Sequence, residues 1–441
     1  MDPLDVIAGA RAGEISTSVE AALRAGTLVP GQLLPTVRHL AEHLRISPTT
    51  VAAAYRDLQL RGFVTAAGRR GTRVSPRPPL AARSPVVAPP GVRNLATGNP
   101  DPDLLPDLTA AVRTLLPEQH LYGEPCNQRG LLALAAEAFA RDGISPDFLA
   151  ITGGALDGIE RTLGAHLRPG DRVAVEDPCY PAVHDLVLAM GLVPRPVAVD
   201  DRGPVPDALE DALGHQIAAA IVTPRAQNPT GAALDEGRVA ELRDVLEQRP
   251  DVLVIEDDHA GPVAGVPALT LVHEQRPERW AVLRSVSKWL GPDLRLAMMA
   301  GDPITISRVE GRQQIGAGWI SHVLQDLVTA LWRDAATQRL IERGAAAYTE
   351  RRRALLDALG ERGIAAHGRS GLNVWVDVED EQSAQRALLD AGWAASVGER
   401  YRLRTPPAVR ISIGSMQAHE APAVAAALAG AGAAQPRSRS A

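Results

Sequence analysis

At 441 residues, with 45% hydrophobic and 22% charged, the chain is long enough for two or three globular domains, and no uninterrupted apolar run approaches the ~18 residues of a membrane span. The acidic start Met1-Asp2-Pro3-Leu4-Asp5 lacks a signal-peptide pattern and Cys126 and Cys179 stand in no ligand spacing, so a soluble, cytoplasmic protein without disulfide framework or metal site is expected. The net charge of -6 gives no overall pull toward nucleic acid, yet the first 76 residues hold nine arginines against six acids and leave about -9 on the remainder, the split of a basic nucleic-acid module on an acidic body.

Ile15 to Ala25 reads as an amphipathic helix with Ile15, Val19, Ala22 and Leu23 on one face. Gly31-Gln32-Leu33-Leu34-Pro35-Thr36 is a bend that delivers Thr36 as the N-cap of a short helix, Val37 to Leu44, with Val37, Leu40, Ala41 and Leu44 inward. Arg45-Ile46 makes a tight turn. Ser47 caps a third helix, Pro48 takes its first position, and Gly62 stops it after Arg61. Strands Phe63–Thr65 and Thr72–Val74 follow, joined by Gly68-Arg69-Arg70-Gly71.

This order of elements makes a winged helix-turn-helix. Its third helix is expected in a major groove, with Arg38, Ser47, Thr49, Thr50 and Tyr55 facing DNA. Arg69, Arg70 and Arg73 on the wing suit backbone or minor-groove contact, whereas Arg56 and Arg61 read as solvated helix charges. Use of the module for protein docking alone stays open. Leu34-Pro35-Thr36, Arg38-His39-Leu40-Ala41, Ser47-Pro48-Thr49-Thr50-Val51, Ala54-Tyr55, Leu58 and the Gly62 stop resemble the GntR family of bacterial transcription factors. That family commonly has arginine where this chain has Pro48, which removes one DNA contact from the expected set. The DNA-binding domain is placed at 8–76. Residues 77–93, rich in proline, form a stiff extended linker. The body covers 94–430, and 431–441 is a small, polar tail expected to be disordered.

In the body, short β-rich runs alternate with helical stretches: Leu149–Thr152, Val173–Glu176, Pro196–Val199, Ala218–Val222, Val252–Glu256, Ala281–Arg284 and Leu296–Ala300. The alternation predicts an α/β fold, a mainly parallel sheet with helices on both faces. One long helical stretch, about Gln325 to Gly360, leads to a smaller C-terminal α+β unit with strands Asn373–Asp377 and Val409–Ile413.

Polar residues gather where those strands end, the place open α/β sheets bind ligands. Thr152-Gly153-Gly154-Ala155 joins strand to helix, either as a plain tight turn or as a receiver of phosphate on its free amides. Asn228-Pro229-Thr230-Gly231 follows a second strand and Glu256-Asp257-Asp258-His259 ends a third. Then comes Ser285-Val286-Ser287-Lys288, with Pro292 and Arg295 beyond. Lys288 is the only lysine beside 45 arginines. A guanidinium cannot form an imine, whereas a buried lysine sheds its proton and attacks a carbonyl, so a lysine kept alone in this background points to a Schiff base with pyridoxal phosphate.

In this order the motifs resemble the fold type I aminotransferases over residues 94–430. The resemblance implies that Lys288 bonds the cofactor, Asp257 pairs with its ring nitrogen and Asn228 contacts the ring hydroxyl. It implies further that Ser285, Ser287, Arg295 and the amides of Gly154 and Ala155 hold the phosphate, and that Tyr180 lies against the ring. Tyr122 would reach the phosphate of a neighbouring subunit, implying a homodimer, and Arg410 would clamp a substrate carboxylate. Two departures stand out. His259 replaces the usual tyrosine donor to the ring oxygen, and Leu131-Leu132 replaces the usual Leu-Arg. A GntR-like reader joined by a proline linker to such a body resembles the MocR subfamily. This implies a dimeric, DNA-binding regulator that senses pyridoxal phosphate or an amino compound joined to it. A working or vestigial aminotransferase with an accessory DNA-binding domain is the alternative.

Overall fold

The computed structural model describes residues 2–66, 71–75 and 88–430. Two compact units emerge, one comprising Met1–Pro85, Leu167–Val173 and Ala182–Pro194, the other Val86–His166, Ala174–Pro181 and Arg195–Ala441.

The N-terminal helices are α1 (Pro3–Val6), α2 (Ala12–Arg24), α3 (Val37–Leu44) and α4 (Pro48–Leu60), followed by the antiparallel strands β1 (Val64–Ala66) and β2 (Thr72–Val74). The caps are those the sequence announces: the Thr36 hydroxyl accepts from the His39 N–H at 3.2 Å and that of Ser47 from Thr49 N–H at 3.2 Å. Arg45 ends α3 in the left-handed region at φ 53°, and Gly62 at φ 73° turns the chain out of α4. Ile15, Val19, Leu40, Val51, Ala54, Leu58 and Val74 pack into one core. Each fully buried valine, leucine or isoleucine side chain there is worth about 1.5–3 kcal/mol.

Tyr55 belongs to that core and not to the DNA face. It is 5% exposed, and its hydroxyl donates to the Pro35 carbonyl at 2.9 Å. The expectation that it reads DNA is corrected: a base reader must present its polar tip to solvent. Tyr55→Phe is expected to lower stability by about 1 kcal/mol, one net hydrogen bond, and to leave DNA affinity unchanged, as denaturant melts and DNA titration will report.

The body is built on an eight-stranded sheet. In chain order its strands are β4 (Leu149–Thr152), β5 (Arg172–Asp177), β6 (Val193–Asp200), β7 (Gly203–Pro204), β8 (Ile217–Val222), β9 (Leu253–Asp258), β10 (Trp280–Ser285) and β11 (Ala297–Gly301), the two-residue β3 (Arg93–Asn94) lying outside it. The spatial order is β4-β11-β10-β9-β8-β5-β6-β7. β8, β9 and β10 are parallel, and β11 runs antiparallel to both β10 and β4. β9 and β10 are buried along their whole length, as parallel strands covered on both faces must be, and so read as apolar runs.

The expected helix from Gln325 to Gly360 is two helices, His322–Arg333 and Ala335–Gly360. Asp334 interrupts them in extended conformation (φ -71°, ψ 123°), its carboxylate accepting from the Thr337 N–H at 2.7 Å as the cap of the second helix. The C-terminal sheet comprises β12 (Ala366–His367), β13 (Asn373–Asp377), β15 (Ser396–Val397) and β16 (Ala408–Ser412), in the order β12-β13-β16-β15. β14 (Trp393–Ala394) pairs instead with β3, in parallel. Strand pairing thus begins at Arg93, inside the stretch 77–93 expected to be linker.

Candidate functional site

Sheet register brings the motif residues to one edge. Leu283 and Arg284 of β10 lie opposite Asp257 and Asp258 of β9, so both strands end together. Ala297, the first residue of β11, pairs with Ser285 on one side and with Thr152 on the other. Gly154-Ala155, Ser285 to Lys288 and Arg295 are therefore neighbours by strand pairing, whatever their separation in sequence.

The helix Ala155–His166 opens at this edge. Gly154 holds φ 101°, and a Cβ there would meet the Arg295 guanidinium at 3.4 Å, so glycine lets cation and helix N-terminus converge. Such a terminus presents unpaired N–H groups and the positive end of the helix dipole. Ser285 Oγ and Ser287 Oγ are 2.8 Å apart, and the Ser287 N–H donates to Ser285 Oγ at 3.2 Å. Amides, guanidinium and hydroxyls together form a cradle suited to a phosphate dianion.

Asp257 is buried and its Oδ1 has no hydrogen-bond partner. Burial, with the charges of Asp258 and Glu176 added, pushes its carboxyl up to about 7. Asp258 differs: burial disfavours its charge too, but an ion pair with Arg225 at 2.7 Å outweighs that and holds its carboxyl below the usual range. Adjacent aspartates thus differ: Asp258 is tied into the scaffold, whereas Asp257 keeps a buried oxygen without a partner.

Lys288 Nζ donates to the Gly98 carbonyl at 2.8 Å. Burial, then the Arg410 charge, brings its ammonium down to about 8, which makes the neutral, nucleophilic amine accessible near neutrality. His259 feels that amine: burial first, then the Lys288 charge, lowers its imidazole to about 4, so it is neutral.

Arg410 is buried against the Tyr401 ring, its guanidinium carbon 4.9 Å from the ring centroid. Nη1 donates to Asn228 Oδ1 at 3.0 Å and Nη2 to the Ala96 carbonyl, while Nε is buried without a partner. Asn228 therefore meets Arg410. Tyr180 is exposed and its phenol acts on the Arg410 charge. Tyr122 is 92% exposed, edge-on to Trp319 at 5.4 Å.

Gly98, Ala96, Tyr401 and Glu176 also act on these side chains, and none of them is marked out by the sequence alone. Glu176 is buried, accepts from Thr223 and Gln227, and is raised to about 7 by burial. It stands next to last in β5, and its place at a strand end is the available signal.

On the N-terminal unit, Arg38, Ser47, Thr49 and Arg73 are exposed and Thr50 is half-buried. Arg73 also donates to the Gly31 carbonyl at 3.1 Å. Arg69 and Arg70 lie outside the described residues. Among the described residues no helix is long and apolar enough to cross a membrane.

Comparison with known proteins agrees with both halves. Residues 90–428 match the aminotransferase class I and II family, and residues 11–74 match the bacterial regulatory proteins of the gntR family. The chain is 39% identical to the vitamin B6 salvage pathway transcriptional repressor PtsJ of Salmonella typhimurium, over 96% of this chain and 98% of that protein. It is 28% identical to the pyridoxine biosynthesis transcriptional regulator PdxR of Corynebacterium glutamicum, over 79% and 78%. Its fold is like that of the α-aminoadipate aminotransferase LysN of Thermus thermophilus, at TM-score 0.68 and 24% identity over 78% of this chain and 93% of that one. The chain belongs to the GntR-type transcriptional regulators that carry an aminotransferase class I/II domain, the MocR subfamily.

Proposed function

We propose that this regulator binds operator DNA through residues 8–76 and senses pyridoxal phosphate, alone or joined to an amino compound, in the Lys288 cleft of the body. The observation that carries the reading is the Asp257 carboxyl: buried, with Oδ1 unpartnered, near the end of the strand that pairs with the one leading to the chain's one lysine. An unmet buried acceptor is costly, and a pyridinium N–H is the partner that would meet it. The other residues fit the same group. Lys288 offers the amine, and Ser285, Ser287, Arg295 and the Gly154 and Ala155 amides offer the phosphate cradle. Tyr180 offers a flat face, and Asn228 and His259 are the side chains that would meet the ring oxygen. Bound there, the cofactor supplies an electron sink for amino compounds. Arg410 is the group for an effector carboxylate, which would displace the Ala96 carbonyl or Asn228 from it.

The relatives' roles in vitamin B6 salvage and pyridoxine biosynthesis support a signal of this kind. Exposed apolar side chains at Leu116, Leu121, Tyr122 and Ile315 support a homodimer, in which Tyr122 serves the partner's cleft. Retention of Lys288, Asp257 and Arg410 favours a second reading, a working aminotransferase. His259 in place of a phenol donor and the internal bonds on Arg410 weigh against efficient turnover. Measuring DNA binding with and without pyridoxal phosphate, and transamination on the same preparation, decides between them. DNA affinity that ignores the cofactor, with brisk transamination, would overturn the regulator.

The DNA side has its own test. Arg69→Ala with Arg70→Ala is expected to weaken binding and to reduce the log–log salt slope by ~0.9 for each phosphate that is no longer neutralised. An unchanged slope would remove the wing from the interface.

A further inference from the structure

The segment Leu95-Ala96-Thr97-Gly98 meets Arg410 and Lys288 through its backbone, and its two ends are held by different means. At the start, the Leu95 N–H donates to the Ala394 carbonyl and the Leu95 carbonyl accepts from the Ser412 N–H, each at 2.8 Å. The Ala96 N–H donates to Asn94 Oδ1 at 2.9 Å. From there on the carbonyls face cations. Ala96 O accepts from Arg410 Nη2, and Gly98 O accepts from Lys288 Nζ at 2.8 Å. Gly98 is at φ 67°, and a Cβ there would stand 3.4 Å from Arg410 Nη1, so the turn that aims this carbonyl at the amine admits glycine and little else.

We infer that the Ala96–Gly98 strap is a latch governed by the chemical state of the Lys288 nitrogen, fastened while the amine is free and released once it is consumed. The inference rests on the reading of the cleft as a pyridoxal phosphate site. When the neutral amine condenses with an aldehyde, a C=N bond forms at Nζ and the C=O bond breaks. The aldehyde oxygen leaves as water with the two hydrogens that Nζ carried, and the extra proton of the ammonium form goes to solvent. The Gly98 carbonyl then loses its donor, and a buried acceptor without one favours rearrangement of the segment that bears it. The strap continues backward into β3 and the residues that lead to the DNA-binding domain. Occupancy of the amine is thereby written into the one covalent path between the cleft and the DNA reader.

Amide hydrogen exchange on the full chain, followed at Leu95 and Ala96 by mass spectrometry, tests the latch. In the wild type, adding pyridoxal phosphate should speed exchange about tenfold, the equivalent of one charge-assisted hydrogen bond. Lys288→Ala removes the donor and should exchange fast without any cofactor. Lys288→Arg keeps a donor but cannot condense, and should exchange slowly whether or not pyridoxal phosphate is present. Gly98→Ala pushes the strap off while leaving the amine able to react, and should be fast from the outset. A Lys288→Ala protein as slow as the unloaded wild type, or a slow Gly98→Ala protein, overturns the latch. Borohydride trapping separates the two layers. If the wild type takes up no pyridoxal phosphate, the reading of the cleft fails, while the cofactor-free comparison of the Ala and Arg variants still decides the latch.

Discussion

Lys288→Ala is expected to yield a folded protein that holds no covalently trapped pyridoxal phosphate. The wild type should give one adduct per chain after borohydride reduction, on the peptide containing Lys288, and the variant none. The expectation is unusually sharp because no second lysine can substitute: the other 45 basic side chains are arginines, whose guanidinium does not condense with aldehydes. Folding should survive. The substitution removes a desolvated cation whose ammonium is already destabilised by burial, and leaves β9 and β10 untouched. Circular dichroism and a thermal melt check the fold, and mass spectrometry checks the adduct. An adduct that persists elsewhere in the variant would remove Lys288 from the centre of the site.

Asp257→Asn should produce opposite effects on the empty and the loaded protein. Burial raises the Asp257 carboxyl from 3.8 to about 7 in the folded chain. The folded state then binds the proton more tightly than the unfolded state does. The stability this group contributes is whole below about pH 4 and is lost as pH rises through about 7. At pH 8 the cofactor-free wild type therefore carries a buried, unmet charge that asparagine does not. With about 1.4 kcal/mol per pKa unit, the variant should be more stable there by about 2–4 kcal/mol, and its stability should fall less between pH 4 and 8. Cofactor retention should move the other way, at least about tenfold weaker, because asparagine would deny the ring nitrogen the carboxylate proposed to pair with it. Denaturant melts at several pH values and dialysis of the loaded protein measure the two effects. A variant less stable than the wild type at pH 8 would show that the carboxylate has a partner in the fold.

Much of the body was legible because its central strands are apolar runs that end in polar residues. Leu149–Thr152 and Asn373–Asp377 stand where the sequence puts them, and the other strands differ by a few residues at their ends. The acids that end β9, Ser285 at the end of β10 and Ser287 just beyond it were visible for the same reason, since chemistry begins where the apolar run stops. What escaped has physical causes. Asp334 sits in an amphipathic pattern that continues on both sides, and only its backbone angles show it as a cap. Tyr55 falls on the Val51, Tyr55, Leu58 stripe, a spacing of four and three that marks the buried face of a helix. Its hydroxyl is the polar tip of a core side chain, satisfied by the Pro35 carbonyl. Gly98 and Ala96 act through carbonyl oxygens, which every residue has, so no residue type announces them. The cradle of Gly154, Ser285 and Arg295 depends on strand register, which a single sequence does not print.

The pairing of β3 with β14 bears on where the body can be cut. Arg93 Nη1 donates to the Ser415 carbonyl at 2.8 Å, its Nη2 stands 3.2 Å from Glu420, and Asn94 O accepts from Ser415 Oγ at 3.0 Å. The Arg93 and Leu95 N–H groups also bond carbonyls on either side of Trp393. A fragment that began at Leu95 would lose a strand from an edge formed by residues some 300 positions downstream, together with an ion pair. Folding autonomy of the C-terminal half therefore depends on its own first few residues. An isolated body has to start ahead of Arg93, and proteolysis between Arg93 and Leu95 would unsettle the C-terminal subdomain before the large sheet registered the loss.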